Sequence, residues 1–112
     1  MRRNEEHYLQ QSMVRWFDVQ HPTLRLNLFA VPNGANTSQK AGAYMKSEGL
    51  RSGVADLVFC YNGSTYFIEV KTAKGKQQPS QKEFEGMCDK HGFPYVIVRS
   101  LDEFMEFIKK IV

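Results

Sequence analysis

The sequence predicts an α/β domain in which a mixed β-sheet with a central hairpin is flanked by helices. Three observations carry that expectation. Val54 to Tyr61 and Ser64 to Lys71 are apolar runs rich in β-branched and aromatic residues. They flank Asn62-Gly63, the strongest short-range signal for a tight antiparallel hairpin. A strand, helix, strand pattern from Phe67 to Val98 reads as a right-handed crossover, which sets its two strands parallel in one sheet. Helical spacing of apolar residues recurs near both ends of the chain. At 112 residues, the chain fits one domain spanning residues 1–112 and has no room for a second.

Taken in order, Asn4 to Asp18 reads as a first helix. Asn4 caps it, Glu5 and Glu6 favour its N-terminal dipole, and Leu9, Met13, Trp16 and Phe17 recur at helical spacing before His21-Pro22 ends it. Leu24 to Val31 is apolar enough for a strand, stopped by the turn chemistry of Pro32-Asn33-Gly34. Ser38 caps a short helix carrying Ala41, Tyr44 and Met45, which Gly49 ends. Arg51-Ser52-Gly53 leads into the hairpin, and Gly53 permits close backbone approach just before Asp56.

After the hairpin, Thr72 to Pro79 is a polar loop. Ser80-Gln81-Lys82-Glu83 is a capping box that starts a helix at Gln81, with Phe84, Met87 and Cys88 inward and Gly92 as its stop. Tyr95 to Arg99 is the next strand. Ser100-Leu101-Asp102-Glu103 is a second capping box, opening a terminal helix with Leu101, Phe104, Phe107, Ile108 and Ile111. Together with Val112, these side chains exceed what one small core is expected to cover, and a surplus of that kind marks an interface.

Composition narrows the function classes. Cys60 and Cys88 lack metal-type spacing and fall in a predicted strand and helix, so they are read as buried thiols in a reducing cytoplasm. His7 and His21 have no second histidine at ligand spacing, so a cysteine or histidine enzyme is excluded. No apolar stretch approaches membrane-spanning length, and a soluble, unexported, cytoplasmic protein is expected. A formal net charge of +3 permits nucleic-acid binding.

The chemistry lies at the open end of the hairpin. If Asn62 and Gly63 are the turn residues, Tyr61 faces Ser64, and counting back sets Asp56 opposite Glu69. Side chains alternate with period two, so Lys71 joins the two carboxylates while Leu57, Phe59, Tyr66, Ile68 and Val70 form the core face. Two adjacent carboxylates raise each other's proton affinity, and a bridging Lys71 ion pair is the simplest structural remedy. A hard cation, Mg²⁺ or Mn²⁺, gives a stronger reason for the cluster, because such ions are held by one or two carboxylates plus a substrate phosphate. Lys71 is then placed to position or deprotonate the attacking water, or to neutralise charge developing on the phosphate. The reaction so described is phosphodiester hydrolysis.

At these residues the sequence resembles the PD-(D/E)xK nuclease superfamily, with Asp56 and Glu69-Val70-Lys71 at the signature positions. Within it, several stretches resemble the VRR-NUC family, in its stand-alone phage and bacterial form. These are Glu6 and Gln10, Pro32-Asn33-Gly34, Glu48-Gly49 shortly before Gly53-Val54-Ala55-Asp56, Ser80-Gln81, and Tyr95 to Ser100. Two departures are visible: Ala55 replaces the usual proline, and Val98-Arg99-Ser100 lacks the second arginine.

The resemblance implies a restriction-endonuclease-like core and a divalent-metal-dependent DNA endonuclease. It implies Asp56, Glu69, Lys71 and Gln81 as the catalytic set. The metal ligands are expected to be Asp56, Glu69 and the Val70 carbonyl, with Glu6 reaching the metal's water shell. Lys74 and Lys76 in the polar loop, with Lys46 and Asn33, are the expected DNA contacts. Similarity to Holliday-junction resolvases implies branched DNA as substrate and a homodimer, in the host's cytoplasm if phage-encoded. The alternative is a catalytically silent nucleic-acid-binding or assembly subunit with the same fold.

Overall fold

The Asn62-Gly63 turn sets the register of the sheet. In the computed structural model, which describes residues 2–32 and 38–112, both turn residues have positive φ, 48° at Asn62 and 81° at Gly63. That is the combination a two-residue type I′ turn demands. Strand β2 (Leu57–Tyr61) therefore pairs antiparallel with β3 (Ser64–Val70), with Tyr61 opposite Ser64 and Leu57 opposite Ile68. The register is the one counted from the sequence. Strand β4 (Tyr95–Val98) lies parallel to β3, and β1 (Leu28–Ala30) closes the other edge antiparallel to β2, giving the order β1-β2-β3-β4.

Helices cover both faces of this mixed sheet. Helices α1 (Arg2–Gln20) and α4 (Leu101–Ile111) pack over Leu57, Phe59, Ile68 and Val70, all fully buried with Met13, Phe17, Phe104 and Ile108. Edge-to-face rings tie α1 to the sheet through Phe17 and Phe59 at 5.5 Å, and to α4 through Trp16 and Phe104 at 6.0 Å. Helix α3 (Pro79–His91) covers the opposite face, where Phe84 meets Phe67 edge-to-face at 5.1 Å and Cys88 is buried. Helix α2 (Gln39–Ser47) begins at Ser38, whose hydroxyl accepts from the Ala41 N–H as the sequence led one to expect.

Several elements differ from the sequence reading. Helix α1 starts before Asn4 rather than at it. The expected strand from Leu24 to Val31 is reduced to Leu28–Ala30. Pro22 instead starts a short 3₁₀ helix to Asn27 that leaves Leu26 exposed, and the Asn27 amide donates to the Cys60 carbonyl in place of a ladder bond. Helix α3 is capped by Gln78, not Ser80, with Pro79 at its first position, and Met87 is partly exposed. Cys60 is only half-buried.

The terminal helix has no surplus of apolar side chains. Phe104 and Ile108 are fully buried, Phe107 and Ile111 pack against the core, and among these residues only Val112 is exposed. The sequence reading underestimated the demand because α1 and α4 share a single sheet face.

A candidate active site at the open end of the hairpin

Beyond Leu57 the β2 backbone leaves the ladder, and a side chain continues the pairing. The Asp56 carboxylate accepts from the Val70 N–H at 2.8 Å through Oδ2, while the Asp56 carbonyl accepts from the Val31 N–H at 3.0 Å. Asp56 is thereby fixed at both ends beside Glu69. Gly53 holds the preceding turn against α3. Its φ is +85°, and a Cβ there would lie 2.2 Å from the Ser80 carbonyl oxygen. The close approach inferred from the sequence is thus taken up by the chain's own helix.

Glu69 is fully buried and Lys71 is 5 % exposed. Lys71 Nζ lies 3.8 Å from Glu69 Oε2, a long ion pair, and the same oxygen accepts from Gln81 Nε2 at 2.9 Å. The Gln81 Oε1 atom accepts from the Gln78 N–H at 2.7 Å, so one side chain both completes the α3 cap and orients the carboxylate. Glu69 Oε1 is buried and, among the described residues, has no hydrogen-bond partner. Buried polar atoms are rarely left so, because the loss of hydration is not recovered.

The electrostatics agree. Burial, then the adjacent Asp56 charge, pushes the Glu69 carboxyl up to about 9, against which the Lys71 charge acts too weakly. Burial also raises Asp56, although the Val70 N–H, Glu69 and Lys71 oppose it. Glu6, on α1, is half-buried in the same field: burial and Asp56 raise its carboxyl and Lys71 lowers it.

The structure thus brings Asp56, Glu69, Lys71 and Gln81 into one cluster, Val70 adjoins it through its N–H, and Glu6 on α1 feels the charges of Lys71 and Asp56 without a hydrogen bond or ion pair to them among the described residues. Among the described residues, no three His, Cys, Asp or Glu side chains close a preformed metal cage. Two carboxylates with a backbone carbonyl suit Mg²⁺ or Mn²⁺, which keep several waters. A divalent cation would also give Glu69 Oε1 the partner it lacks, so the donor set fits. Lys74 and Lys76 are exposed in the loop after Lys71, and Lys46 is exposed near the end of α2. Asn33 lies outside the described residues.

Sequence reasoning assigned no role to Arg99. Its Nη1 donates to the carbonyls of Thr72 at 2.8 Å and Gly75 at 2.7 Å, and more distantly to Ala73 at 3.5 Å. The signal was the crossover itself. A parallel register pairing Val70 with Val98 carries Arg99 to the level of Lys71, and the Lys71 N–H indeed donates to the Val98 carbonyl at 3.1 Å.

The sequence profile of the VRR-NUC domain matches residues 1–102. No curated protein matches the sequence. Among solved structures, a VRR_NUC domain protein superposes with a TM-score of 0.77 over 96% of this chain and 87% of that one. The two share 22% sequence identity, and the likeness concerns the fold.

Proposed function

The chain belongs to the VRR-NUC family of nuclease domains, and we propose that it is a divalent-metal-dependent DNA endonuclease selective for branched DNA. The observation that carries the metal reading is Glu69 Oε1, a buried carboxylate oxygen without a partner among the described residues and beside a second carboxylate. Asp56, Glu69 and the Val70 carbonyl are the donors that would hold Mg²⁺ or Mn²⁺, and Glu6 is the further carboxylate that would act through its water shell. When bound, such an ion supplies charge neutralisation at the scissile phosphate and a more acidic water.

The chain's own residues do the rest. Gln81 fixes Glu69 in one orientation, so the carboxylate is presented without reorganisation. The Val70 N–H does the same for Asp56. Lys71, nearly buried and facing Glu69, supplies a positive charge or a proton acceptor beside the reacting phosphate. Lys74, Lys76 and Lys46 are exposed cations that engage the backbone without reading sequence.

One such site meets one strand. Paired cuts in a four-way junction need two sites related by a two-fold axis, which a homodimer provides. Cleavage of four-way junction, linear duplex and single-stranded DNA with Mg²⁺, Mn²⁺ or chelator, with light scattering on the same sample, tests the reading. Metal-dependent junction cleavage by a dimer is the expected result. Cleavage unaffected by chelator would refute the metal assignment; a monomer that nicks linear duplex equally well would refute the junction and dimer assignments.

A further inference from the structure

We propose that Arg99 is a positioning residue that clamps the loop behind Lys71 and thereby presents Lys71, Lys74 and Lys76 to the nucleic acid. The role in cleavage rests on the nuclease reading; the clamp itself does not. Arg99 follows the last residue of β4, and its backbone N–H donates to Glu103 Oε1 at 2.7 Å. Glu103 is in turn held at the start of α4, its N–H donating to the Ser100 hydroxyl at 3.1 Å. The root of the arginine is therefore fixed by a helix cap. Its tip spans a loop whose first half is closed, among the described residues, by one short-range backbone bond, from the Gly75 N–H to the Thr72 carbonyl at 3.1 Å, and whose far end is tied down by the Gln77 amide, which donates to Glu85 Oε1 at 3.0 Å and to the Tyr95 hydroxyl at 3.3 Å.

The loop carries three cations in six residues, Lys71, Lys74 and Lys76. Left free, such a loop would spread to separate its charges. The Arg99 guanidinium holds it through carbonyls alone, and among the described residues no carboxylate lies within ion-pair distance of that guanidinium. It therefore shapes the loop without cancelling its charge. Gly75 sits tightly here, for a Cβ would lie 3.1 Å from Thr72 Oγ1 and 3.5 Å from Lys71 Cδ. The backbone that Arg99 fixes is thus packed against the stem of Lys71, and a shift of the loop moves the ammonium. Lysine cannot substitute, since its nitrogen sits one bond nearer the backbone than Nη1 and lacks the planar pair of diverging N–H groups.

The test compares wild type with Arg99→Ala and Arg99→Lys in three measurements. These are amide hydrogen exchange at Gly75, the salt dependence of DNA binding in chelator, and kcat and KM for cleavage with Mn²⁺. Both variants should exchange the Gly75 amide at least about ten-fold faster while the Phe59 and Ile68 amides keep their protection. The log–log salt slope should fall by about one to two as Lys74 and Lys76 lose their places. Turnover should fall about 10–100-fold, more than KM changes, as expected for a misplaced group. Unchanged exchange at Gly75 in Arg99→Ala overturns the clamp. Wild-type behaviour of Arg99→Lys throughout would mean that charge alone matters, which also overturns it. Faster exchange with normal turnover overturns the role in positioning Lys71. If the wild-type protein cleaves no DNA, the nuclease reading fails, and exchange and salt slope still decide the clamp.

Discussion

Gln81 joins the cap of α3 to the buried carboxylate of Glu69: its Nε2 donates to Glu69 Oε2 at 2.9 Å while its Oε1 accepts from the Gln78 N–H at 2.7 Å. Gln81→Ala removes both bonds. Loss of the capping interaction alone is worth about 0.5–2 kcal/mol, so the urea midpoint should fall accordingly, and cleavage should fall with it. Gln81→Glu retains the cap acceptor but sets a third carboxylate against Glu69 and Asp56. It should be more destabilised at pH 8 than at pH 5 without metal. A midpoint independent of pH would separate Gln81 from the carboxylate cluster.

The raised carboxyl of Glu69 gives the metal-free protein an unusual pH dependence. Its folded-state value, about 9, lies above the ordinary value of 4.5. The folded state therefore binds the proton more tightly than the unfolded chain, and its contribution is greatest at low pH. Stability should decline as pH rises from about 5 to about 9, by up to about 1.4 kcal/mol per pH unit from this group. Thermal melts in chelator across that range measure the slope. Glu69→Gln should flatten it; an equal slope in that variant would place the titrating group elsewhere.

The hairpin register was legible because Asn62-Gly63 fixes the loop at two residues, after which register is arithmetic; the same count set Asp56 opposite Glu69, whereas the ladder ends at Leu57 and the Asp56 carboxylate bonds the Val70 N–H instead. The crossover was legible for a similar reason. What stayed hidden depends on contacts between segments far apart in sequence. The shortening of β1 depends on the Asn27 amide reaching Cys60, and the partial exposure of Met87 depends on how α3 sits on the sheet. A local signal misled at Ser80, where a serine three residues before Glu83 looked like a cap although Gln78-Pro79 holds the helix start. The reach of Arg99 across 24 to 27 residues carries no local signature at all.

Gly53 is the backbone counterpart of this long-range packing. Gly53→Ala should destabilise strongly, because a left-handed φ costs roughly 1–3 kcal/mol and the new Cβ would clash with the Ser80 carbonyl besides. Gly49 is the control: its φ is +111°, yet nothing among the described residues lies within 4 Å of a Cβ placed there. Denaturant midpoints of the two variants should differ markedly, Gly53→Ala being the lower. Equal losses would mean that the contact with α3 is unimportant.

Lys71 and the loop cations should fail in different ways. Lys71→Ala should lower turnover by orders of magnitude with DNA affinity little changed. Replacing Lys74 and Lys76 together by alanine should weaken binding and reduce the salt slope by about two. Binding isotherms at several salt concentrations, beside single-turnover cleavage, make the comparison. Equal loss of affinity in both proteins would reduce Lys71 to one more phosphate contact.

If Asp56 and Glu69 hold the divalent ion on which DNA cleavage depends, replacing one of them should stop the reaction without unfolding the protein. Asp56→Asn keeps an oxygen for the Val70 N–H and removes one of two repelling carboxylates. Without metal, then, the variant should be no less stable than wild type. The decisive measurement is Mn²⁺-dependent cleavage of a four-way junction by purified Asp56→Asn protein whose melt in chelator matches or exceeds wild type. Cleavage should be abolished and added Mn²⁺ should no longer raise the melting temperature; undiminished cleavage by that well-folded variant would contradict a metal site at Asp56 and Glu69.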